Sequence, residues 1–239
     1  MIPKEAFEAM LAEAGLAGEY QPFARYCQLL QEWNQRMNLT AITDDQGVAE
    51  KHFLDSLLPL TLWELPRGAR LVDVGTGAGF PAVPIKLLRP DIQITLLDSL
   101  QKRLTFLEAV CSQLGIQAEL LHARAEDAGR DPARRERYDV ATSRAVAGMD
   151  LLAEYCLPLV RPGGVLLALK GSGGAAEARA GAAMVERCGG TLRAVKEYAL
   201  PSGDRRTLVV VEKTSPTPKR YPRTPAQLAK AKKEAAGQK

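Results

Sequence analysis

The segment from Leu71 to Asp98, LVDVGTGAGFPAVPIKLLRPDIQITLLD, constrains the fold more than any other part of the chain. It predicts a short apolar strand, a turn with glycine at alternate positions, a helix starting near Pro81, and a second apolar strand that ends in a carboxylate. Glycine has no Cβ atom, so such a turn bends tightly and lets the backbone approach a ligand closely. This order of elements predicts a cofactor site at the carboxyl edge of a parallel sheet.

Asp98 is the first candidate ligand-binding residue. It lies just past the second strand, 98 − 75 = 23 positions after Gly75. A spacing of roughly 20 is expected for the acidic group that accepts hydrogen bonds from ribose hydroxyls. We therefore predict that Asp98 binds the ribose of an adenosine-bearing cofactor, with Gly75 and Gly77 in the turn beside it.

The identity of the cofactor depends on Asp73 and Phe80. The glycine spacing is G-x-G-x-G, and Phe80 stands where the dinucleotide fingerprint has glycine or alanine. Asp73, two residues before the first glycine, would set a negative charge near a pyrophosphate, which is unfavourable. The same carboxylate would attract S-adenosylmethionine, which carries an ammonium and a cationic sulfur. S-adenosylmethionine is therefore favoured; a nicotinamide or flavin dinucleotide, and an Asp73 that only hydrogen-bonds the turn, are the alternatives.

Composition is that of a globular protein. The 239-residue chain is 46% hydrophobic and 25% charged, which suits an α/β domain with an added helical layer. Apolar runs are shorter than the roughly 18 residues of a membrane span, and the opening MIPKEAFEAM lacks the apolar core of a signal peptide. We expect a cytoplasmic protein without a membrane partner. The cysteines are widely spaced, which predicts buried free thiols and no metal site.

Positive charge is concentrated at the carboxyl end. Residues 213–239 hold eight Lys or Arg against Glu234, which gives 8 − 1 = +7, so the remainder carries 4 − 7 = −3. The same segment contains four prolines, and we expect an extended, poorly packed first half followed by a short basic stretch. Such a tail suits a phosphate backbone, although a solvated tail that only maintains solubility is the alternative. Truncation after Glu212 is expected to weaken RNA binding and leave cofactor binding intact.

The sequence as a whole predicts three segments: an N-terminal helical cap over residues 1–60, a cofactor-binding core over 61–212 and the basic tail over 213–239. In the cap, helices are expected over Pro3–Ala14 and Gln46–Leu58, with a helical stripe between them. His52, within the third helix, is either a substrate contact or a hydrogen-bonded, partly buried histidine. In the core, alternating strands and helices close with a hairpin around Pro201–Gly203, which predicts a doubly wound α/β sheet with one antiparallel strand.

The chain resembles the bacterial small-subunit ribosomal RNA guanine-N7 methyltransferases, also called glucose-inhibited division protein B. The resemblance covers nearly the whole length. Besides the DVGTGAGFP turn, it rests on Trp33-Asn34, Asn38–Ile42, Lys51–Leu57, Arg124–Glu126, Ser143–Ala147 and Leu169–Gly171. Two departures are Ala82, where the family has glycine, and Thr224–Ala226, where a proline-glycine turn is common.

The resemblance implies the class I S-adenosylmethionine-dependent methyltransferase fold, which is Rossmann-like, and methylation of a guanine in 16S ribosomal RNA near the decoding centre. The substrate would be naked RNA, the small ribosomal subunit or an assembly intermediate, and we expect a monomer. Carried over by matching position, the cofactor contacts would be Gly75, Phe80, Asp98, Ser99, Leu100, Ala125, Glu126 and Arg144. Glu126 could instead be a helix-start carboxylate, and Arg144 could hold the cofactor's carboxylate or an RNA phosphate, or form only a surface ion pair.

Guanine N7 presents an unprotonated lone pair, so its attack on a sulfonium methyl group needs no general base. Positioning should then dominate the rate. The fourth strand ends in Ala141-Thr142-Ser143-Arg144 and lacks the Asn/Asp-Pro-Pro-aromatic tetrad of exocyclic-amine methylases; the Pro-Cys pair of cytosine methylases is also absent. The catalytic residues stay unidentified; the hypothesis is that Arg144 and Lys170 orient the RNA. Replacing Arg144 by Ala should then abolish most turnover.

Two other classes of function remain open. A small-molecule methyltransferase would share the cofactor site but would not need the basic tail. A non-enzymatic RNA-binding factor would need the tail but not the glycine turn together with Asp73 and Asp98. Binding of the methyl donor, measured by calorimetry, would separate the last class from the enzymes.

Overall fold

A seven-stranded sheet forms the centre of the computed structural model, which describes residues 1–236, with side chains as far as Lys230. Its strands are β1 Arg70–Val74, β2 Gln93–Asp98, β3 Ala118–His122, β4 Tyr138–Arg144, β5 Val160–Gly171, β6 Gly190–Ala199 and β7 Arg205–Lys213. Their order in the sheet is β3-β2-β1-β4-β5-β7-β6. The first five strands pair in parallel, and β7 runs antiparallel to both β5 and β6.

The predicted doubly wound sheet with one antiparallel strand is confirmed, and β7 is that strand. The order reverses between β1 and β4, whose pairing matches Asp73 with Thr142. Ligands of open α/β sheets bind outside the carboxyl ends of the strands at such a switch point. The glycine turn follows β1, so the topology places it at this point.

One strand boundary differs from the prediction. The Arg161-Pro162-Gly163 segment reads as a turn before β5, but β5 begins at Val160 and includes it. The pairing with β4 shifts register here, from Tyr138 opposite Val160 to Val140 opposite Val165. The extra residues form an irregularity within the ladder, and β5 is therefore longer than its apolar run alone indicates.

Helices cover both faces of the sheet. Gly115, in a left-handed conformation with φ 64°, ends the helix Gln101–Leu114. The helices of the core are α6 Ala82–Leu88, α7 Gln101–Leu114, α8 Ala125–Ala128, α9 Met149–Cys156 and α10 Gly174–Arg187. All four cysteines are buried and free, as predicted. Within residues 1–236, no helix is long and apolar enough to cross a membrane.

The N-terminal helices pack over one face of this core. They are α1 Lys4–Glu13, α2 Tyr20–Met37, α3 Asp45–Gly47, the π-helix π1 Val48–Leu54, α4 Asp55–Leu57 and α5 Pro59–Leu62. The helix predicted over Gln46–Leu58 is thus present, but its middle is a π-helix. Phe7, Phe23 and Phe53 form an aromatic cluster with centroid distances of 5.1 to 6.5 Å, and all three are buried. This cluster fixes π1, and with it His52, against the core.

The prediction of a poorly packed tail is wrong for residues 213–223. Lys213 is fully buried at the end of β7, and its ammonium donates to the carbonyls of Leu157 (2.6 Å) and Val160 (3.1 Å). Arg223 forms charge-assisted hydrogen bonds of 2.7 and 3.0 Å with Glu154, a carboxylate without solvent exposure. Truncation after Glu212 would strip these partners and leave buried groups unpaired. A helix, α11 Pro225–Ala236, follows this packed segment.

Candidate functional site

A cavity of about 470 Å³ lies at the carboxyl ends of β1, β2 and β4. The glycine turn forms its floor. The Gly75 and Thr76 amides donate to the Leu97 carbonyl at 2.9 and 3.0 Å and tie the turn to β2. The other lining residues come from the cap, from the loops after β2 and β3, and from the end of β4; they include Leu39, Thr40, His52, Phe80, Asp98, Ser99, Arg103, Ala125, Glu126, Arg144, Val146 and Tyr155.

Asp98 is held rigidly at the rim of this cavity. Its carboxylate accepts hydrogen bonds from the Gly77 amide at 2.9 Å and the Leu100 amide at 2.9 Å, and Arg103 pairs with it at 3.2 Å. Only 2% of the residue is exposed. A carboxylate accepts about four hydrogen bonds, so Asp98 can accept from a further donor besides these three. The glycine turn and the predicted ribose-binding carboxylate are therefore one connected unit.

Asp73 does not line the cavity, contrary to the sequence-based expectation of a direct contact with the cationic cofactor. It is fully buried, and its two oxygens accept hydrogen bonds from Thr76 at 2.7 Å and Thr142 at 2.8 Å. Burial raises its pKa to about 6, against the opposing effect of these hydroxyls, the Ala82 amide and the charge of Arg144. Through Thr76, Asp73 makes the hydrogen bond to the turn that the sequence offers as its alternative role.

The loop after β3 forms the end of the cavity beyond Asp98. Ala125 and Glu126 begin α8 there, and Glu126 is 5% exposed. Ser99 lines the same end, while Leu100 is 42% exposed beside it. Sequence reasoning missed Tyr155 of α9, which also lines this end. The structure thus brings together the residues for which an adenosine contact was predicted.

The opposite end of the cavity is built around Phe80. Its ring stacks between Tyr26, at 5.3 Å and 19°, and His52, at 4.5 Å and 14°. The Arg144 guanidinium lies 4.9 Å from the Phe80 centroid, within the range of a cation–π contact. Tyr26 in turn donates a hydrogen bond to the Ala78 carbonyl of the glycine turn. Phe80, which breaks the dinucleotide fingerprint, joins the cap to the turn.

Arg144 is a largely buried cation that connects β4 to the cap. It donates to the Lys51 carbonyl at 3.0 Å and to the Asp55 carboxylate at 3.4 Å, and its side chain is 16% exposed. Burial lowers the pKa of Arg144, and the charges of Asp55 and Asp73 act in the opposite direction. The surface ion pair considered for Arg144 is therefore not what the structure contains.

His52 is neutral in this environment. Burial and the charge of Arg144 lower its pKa to about 3, opposed in part by the Lys51 carbonyl. Its Nδ1 lies 3.2 Å from Nη2 of Arg144, and its Nε2 lies 2.8 Å from Oγ1 of Thr40. An arginine can only donate, so Nδ1 is the acceptor and Nε2 carries the ring proton. His52 lines both this cavity and its neighbour.

The neighbouring cavity, of about 630 Å³, lies across the Arg144–Val146 segment at the ends of β4 and β5. Cations outnumber carboxylates in its lining, which contains Lys51, Arg144, Lys170 and Arg206 against Asp55 and Glu177. Lys170 is 7% exposed and donates to the Ala147 carbonyl and, at 2.9 Å, to Glu177. An anionic or acceptor-rich ligand would therefore be favoured here.

Sequence reasoning did not assign a role to Asp55, Thr40 or Arg206. The first two lie within the segments that carry the family resemblance, which is the signal that could have selected them. Arg206 has no such signal: it reaches the site because β7 inserts beside β5, and it pairs with Asp55 at 3.3 Å. Contacts that depend on long-range strand order are not visible in a local pattern.

The sheet and the placement of the cavity define a class I methyltransferase fold. A methyltransferase from Pyrococcus furiosus superposes with a TM-score of 0.56 at 13% identity, covering 80% of this chain and 98% of that one. A 16S rRNA adenine-N1 methyltransferase variant from Catenulisporales acidiphilia superposes with a TM-score of 0.52 at 16% identity, covering 63% and 87%. At these identities the similarity concerns the fold alone.

The family follows from sequence. The family model described as "GidB: rRNA small subunit methyltransferase G" matches residues 19–208, and the chain belongs to this family. Among relatives named ribosomal RNA small subunit methyltransferase G, that of Symbiobacterium thermophilum is 49% identical over 236 residues, covering 92% of this chain and 96% of the relative. That of Geobacillus thermodenitrificans is 45% identical over 224 residues, covering 92% and 94%.

Proposed function

We propose that this chain transfers the methyl group of S-adenosylmethionine to N7 of a guanine in 16S ribosomal RNA, in the decoding region of the small subunit. The observation that carries the proposal is the pair of cavities that meet at the Arg144–Val146 segment. The first cavity is lined by the glycine turn and Asp98, and the lining of the second cavity is mostly cationic among its charged side chains. Family membership supplies the substrate class, since the relatives are named for ribosomal RNA.

The residues of the first cavity fit S-adenosylmethionine, which supplies a methyl group on a cationic sulfur. Asp98 would accept from the ribose hydroxyls, and the loop with Ser99, Ala125 and Glu126 would hold the adenine. Leu100, exposed beside Asp98, would cover the base from the solvent side. Arg144, at the other end, would attract the carboxylate of the methionine moiety.

The second cavity would hold the guanine and its flanking phosphates. Guanine presents the acceptor O6 beside N7, and the N7 lone pair must stay free to attack the methyl group, so the site needs donors to O6 and to the phosphates and no base. Arg206 and Lys170 provide N–H groups in this cavity, and both are anchored by carboxylates, Asp55 and Glu177. Such anchored donors can hold the base in line with the methyl group, which is the main requirement of the reaction.

The decisive experiment is to map the methylated nucleotide. Small subunits or 16S ribosomal RNA from cells that lack the protein are incubated with the pure protein and labelled S-adenosylmethionine, and the labelled fragment is located by mass spectrometry. The expected result is a single N7-methylguanine in the decoding region. Label in another base, or labelling of small molecules only, would refute the proposal.

The role of Arg144 is tested with a pair of variants, because this residue also makes contacts that stabilise the fold. Arg144→Ala is expected to abolish most turnover, whereas Arg144→Lys retains the charge and one donor nitrogen and should keep part of the turnover. Both variants are compared with the unchanged protein in thermal unfolding. Near-normal turnover of the alanine variant would remove Arg144 from the site. A loss explained by unfolding alone would assign it a structural role only.

We propose that α11 supplies additional phosphate contacts. Truncation after Thr224 keeps the packed segment 213–223 and removes residues with a net charge of 4 − 1 = +3. Binding to 16S ribosomal RNA should weaken, and the slope of log K against log salt should fall by roughly 0.7–0.9 for each phosphate that the shortened chain no longer neutralises. An unchanged slope would show that the tail serves solubility instead.

We further propose that the protein acts as a monomer in the cytoplasm, where ribosomal RNA is found. Among residues 1–230, the large hydrophobic side chains that are exposed are Leu100, Val146 and Val195, which is fewer than a stable dimer interface uses. We also propose the three-segment division, with a cap over 1–60, a core over 61–212 and a tail over 213–239, in which the first part of the tail, 213–223, packs against the core. Light scattering at micromolar concentration should give the mass of one chain, and a dimer mass would contradict this.

A further inference from the structure

Thr40 is a tightly held polar residue of the first cavity to which the proposed function assigns no role. It follows α2, and its backbone is clamped by the side chain of Asn34, whose Oδ1 accepts from the Thr40 amide at 2.9 Å and whose Nδ2 donates to the Thr40 carbonyl at 3.0 Å. Because both backbone groups are bonded to one amide, the position of the Thr40 side chain at the cavity wall is fixed.

The proton of the Thr40 hydroxyl group follows from its neighbours. His52 uses Nδ1 to accept from Arg144, so its Nε2 proton points at Oγ1 of Thr40, 2.8 Å away. The Ile42 amide donates to the same oxygen at 3.0 Å. Both lone pairs of Oγ1 are thus occupied. The hydroxyl hydrogen is left to be donated, and in the part of the chain that the structure describes no acceptor takes it.

We propose that the Thr40 hydroxyl donates this hydrogen bond to the carboxylate of the methionine moiety of S-adenosylmethionine. The inference rests on the proposed function. The inference extends the proposed function with a residue that distinguishes the carboxylate of the methionine moiety from its ammonium. An ammonium only donates, so it finds no acceptor on this oxygen, whereas a carboxylate only accepts.

The position of Thr40 supports the methionine moiety as its ligand. Asp98 and Glu126 mark the other end of the cavity, while Thr40 shares His52 with Arg144, the cation at this end. The O6 atom of the guanine is also an acceptor, but Thr40 is not part of the lining of the second cavity. The cofactor is therefore the ligand that meets this hydroxyl.

The test compares two ligands by calorimetry with the full chain. S-adenosylmethionine and its decarboxylated form both carry the ribose, the sulfonium and the ammonium, and they differ in the carboxylate. Thr40→Val should weaken S-adenosylmethionine on the order of tenfold to a hundredfold, as expected for a hydrogen bond to a charged group. Its binding of the decarboxylated ligand should be unchanged, which also shows that the site is folded. Thr40→Ser, which retains the hydroxyl, should bind S-adenosylmethionine nearly as well as the unchanged protein.

Each other outcome has a definite meaning. An equal loss for both ligands, or no loss for either, would overturn the proposal for Thr40. A loss confined to the apparent affinity for RNA would assign the hydroxyl to the acceptor base instead and would also overturn it. Failure of the unchanged protein to bind S-adenosylmethionine would refute the proposed function itself, so the two failures are distinguishable.

Discussion

The glycine turn allows folding and cofactor binding to be separated by two single substitutions. Gly79 has φ 96°, and a Cβ atom there would lie 2.5 Å from the hydroxyl oxygen of Tyr26 and 2.8 Å from Leu107. Gly77 has φ 60°, and the nearest atom to a Cβ there is the Gly75 carbonyl oxygen at 3.9 Å. Gly77 lines the cavity, so its added methyl group would stand where the cofactor lies. The first substitution should damage the fold and the second the site.

The magnitudes follow from these distances. Both substitutions cost roughly 1 kcal/mol because alanine must adopt a left-handed backbone. Gly79→Ala also overpacks the core, at about 1–3 kcal/mol, and displaces the Tyr26 hydroxyl from the Ala78 carbonyl, at about 1 kcal/mol. We expect Gly79→Ala to lose about 3–5 kcal/mol of unfolding free energy and to melt about 6–20 °C lower. Gly77→Ala should melt about 2–4 °C lower.

The assay is thermal unfolding of both variants, followed by calorimetric titration with S-adenosylmethionine at a temperature where each is folded. Gly77→Ala should bind at least tenfold more weakly than the unchanged protein. If Gly79→Ala melts within about 3 °C of the unchanged protein, the packing argument is wrong. If Gly77→Ala binds normally, the cofactor does not approach this part of the turn.

Three further results are expected. Asp98→Asn should weaken both S-adenosylmethionine and methylthioadenosine by roughly tenfold or more in calorimetry, because the ribose contact is common to the two ligands; weakening of only one would place Asp98 elsewhere. Arg223→Ala should cost about 3–5 kcal/mol in urea unfolding because it leaves the buried Glu154 carboxylate without its counter-charge; the exposed Lys219→Ala is the control, and an equal cost for both would contradict the burial argument. The pKa of His52 in the folded protein is lowered to about 3, so between about pH 6.5 and 3 the unfolded chain binds a proton that the folded chain does not. His52 therefore lowers the stability as the pH falls through this window, and His52→Gln should make the urea midpoint depend less on pH. Equal pH dependence of the two proteins would contradict this.

The fold and the location of the site could be predicted because their signals are local. The alternating strands and helices follow from runs of apolar residues and turn glycines. Asp98 is identified by its position just after β2, and it lies at the cavity. Such signals need only the spacing along the chain.

Asp73 shows where local reasoning ends. It alternates with Val72 and Val74 along β1, so its side chain leaves the opposite face of the strand from these two residues. Its partner Thr142 is 69 residues away and becomes a neighbour only through the pairing of β1 with β4. Whether a carboxylate near a glycine turn meets a ligand or a hydroxyl is thus decided by strand register.

The tail illustrates the same limit for charge. Counting Lys and Arg against Glu234 from residue 213 onward gives +7 and suggests a loosely held polycation. Two of these cations pair with carboxylates from distant parts of the chain, Lys213 with Glu136 at 3.1 Å and Arg223 with Glu154 at 2.7 Å. A net charge describes what a segment could attract, but only the packed structure shows which charges remain available.

The segment between the cavities is central to the proposed reaction. Attack by N7 needs no proton removal, so a rate enhancement must come from alignment of nitrogen, methyl group and sulfur. Arg144, Ala145 and Val146 border both cavities, and Ala145 is held at φ 57°, a conformation that costs a non-glycine residue roughly 1–3 kcal/mol. The surrounding contacts must overcome this cost: Arg144 is fixed to the cap through Lys51 and Asp55. In the proposed reaction, a strained wall that is anchored on one side by the cap and on the other by β4 would set the relative position of the two ligands, which is the contribution that this chemistry requires from a protein.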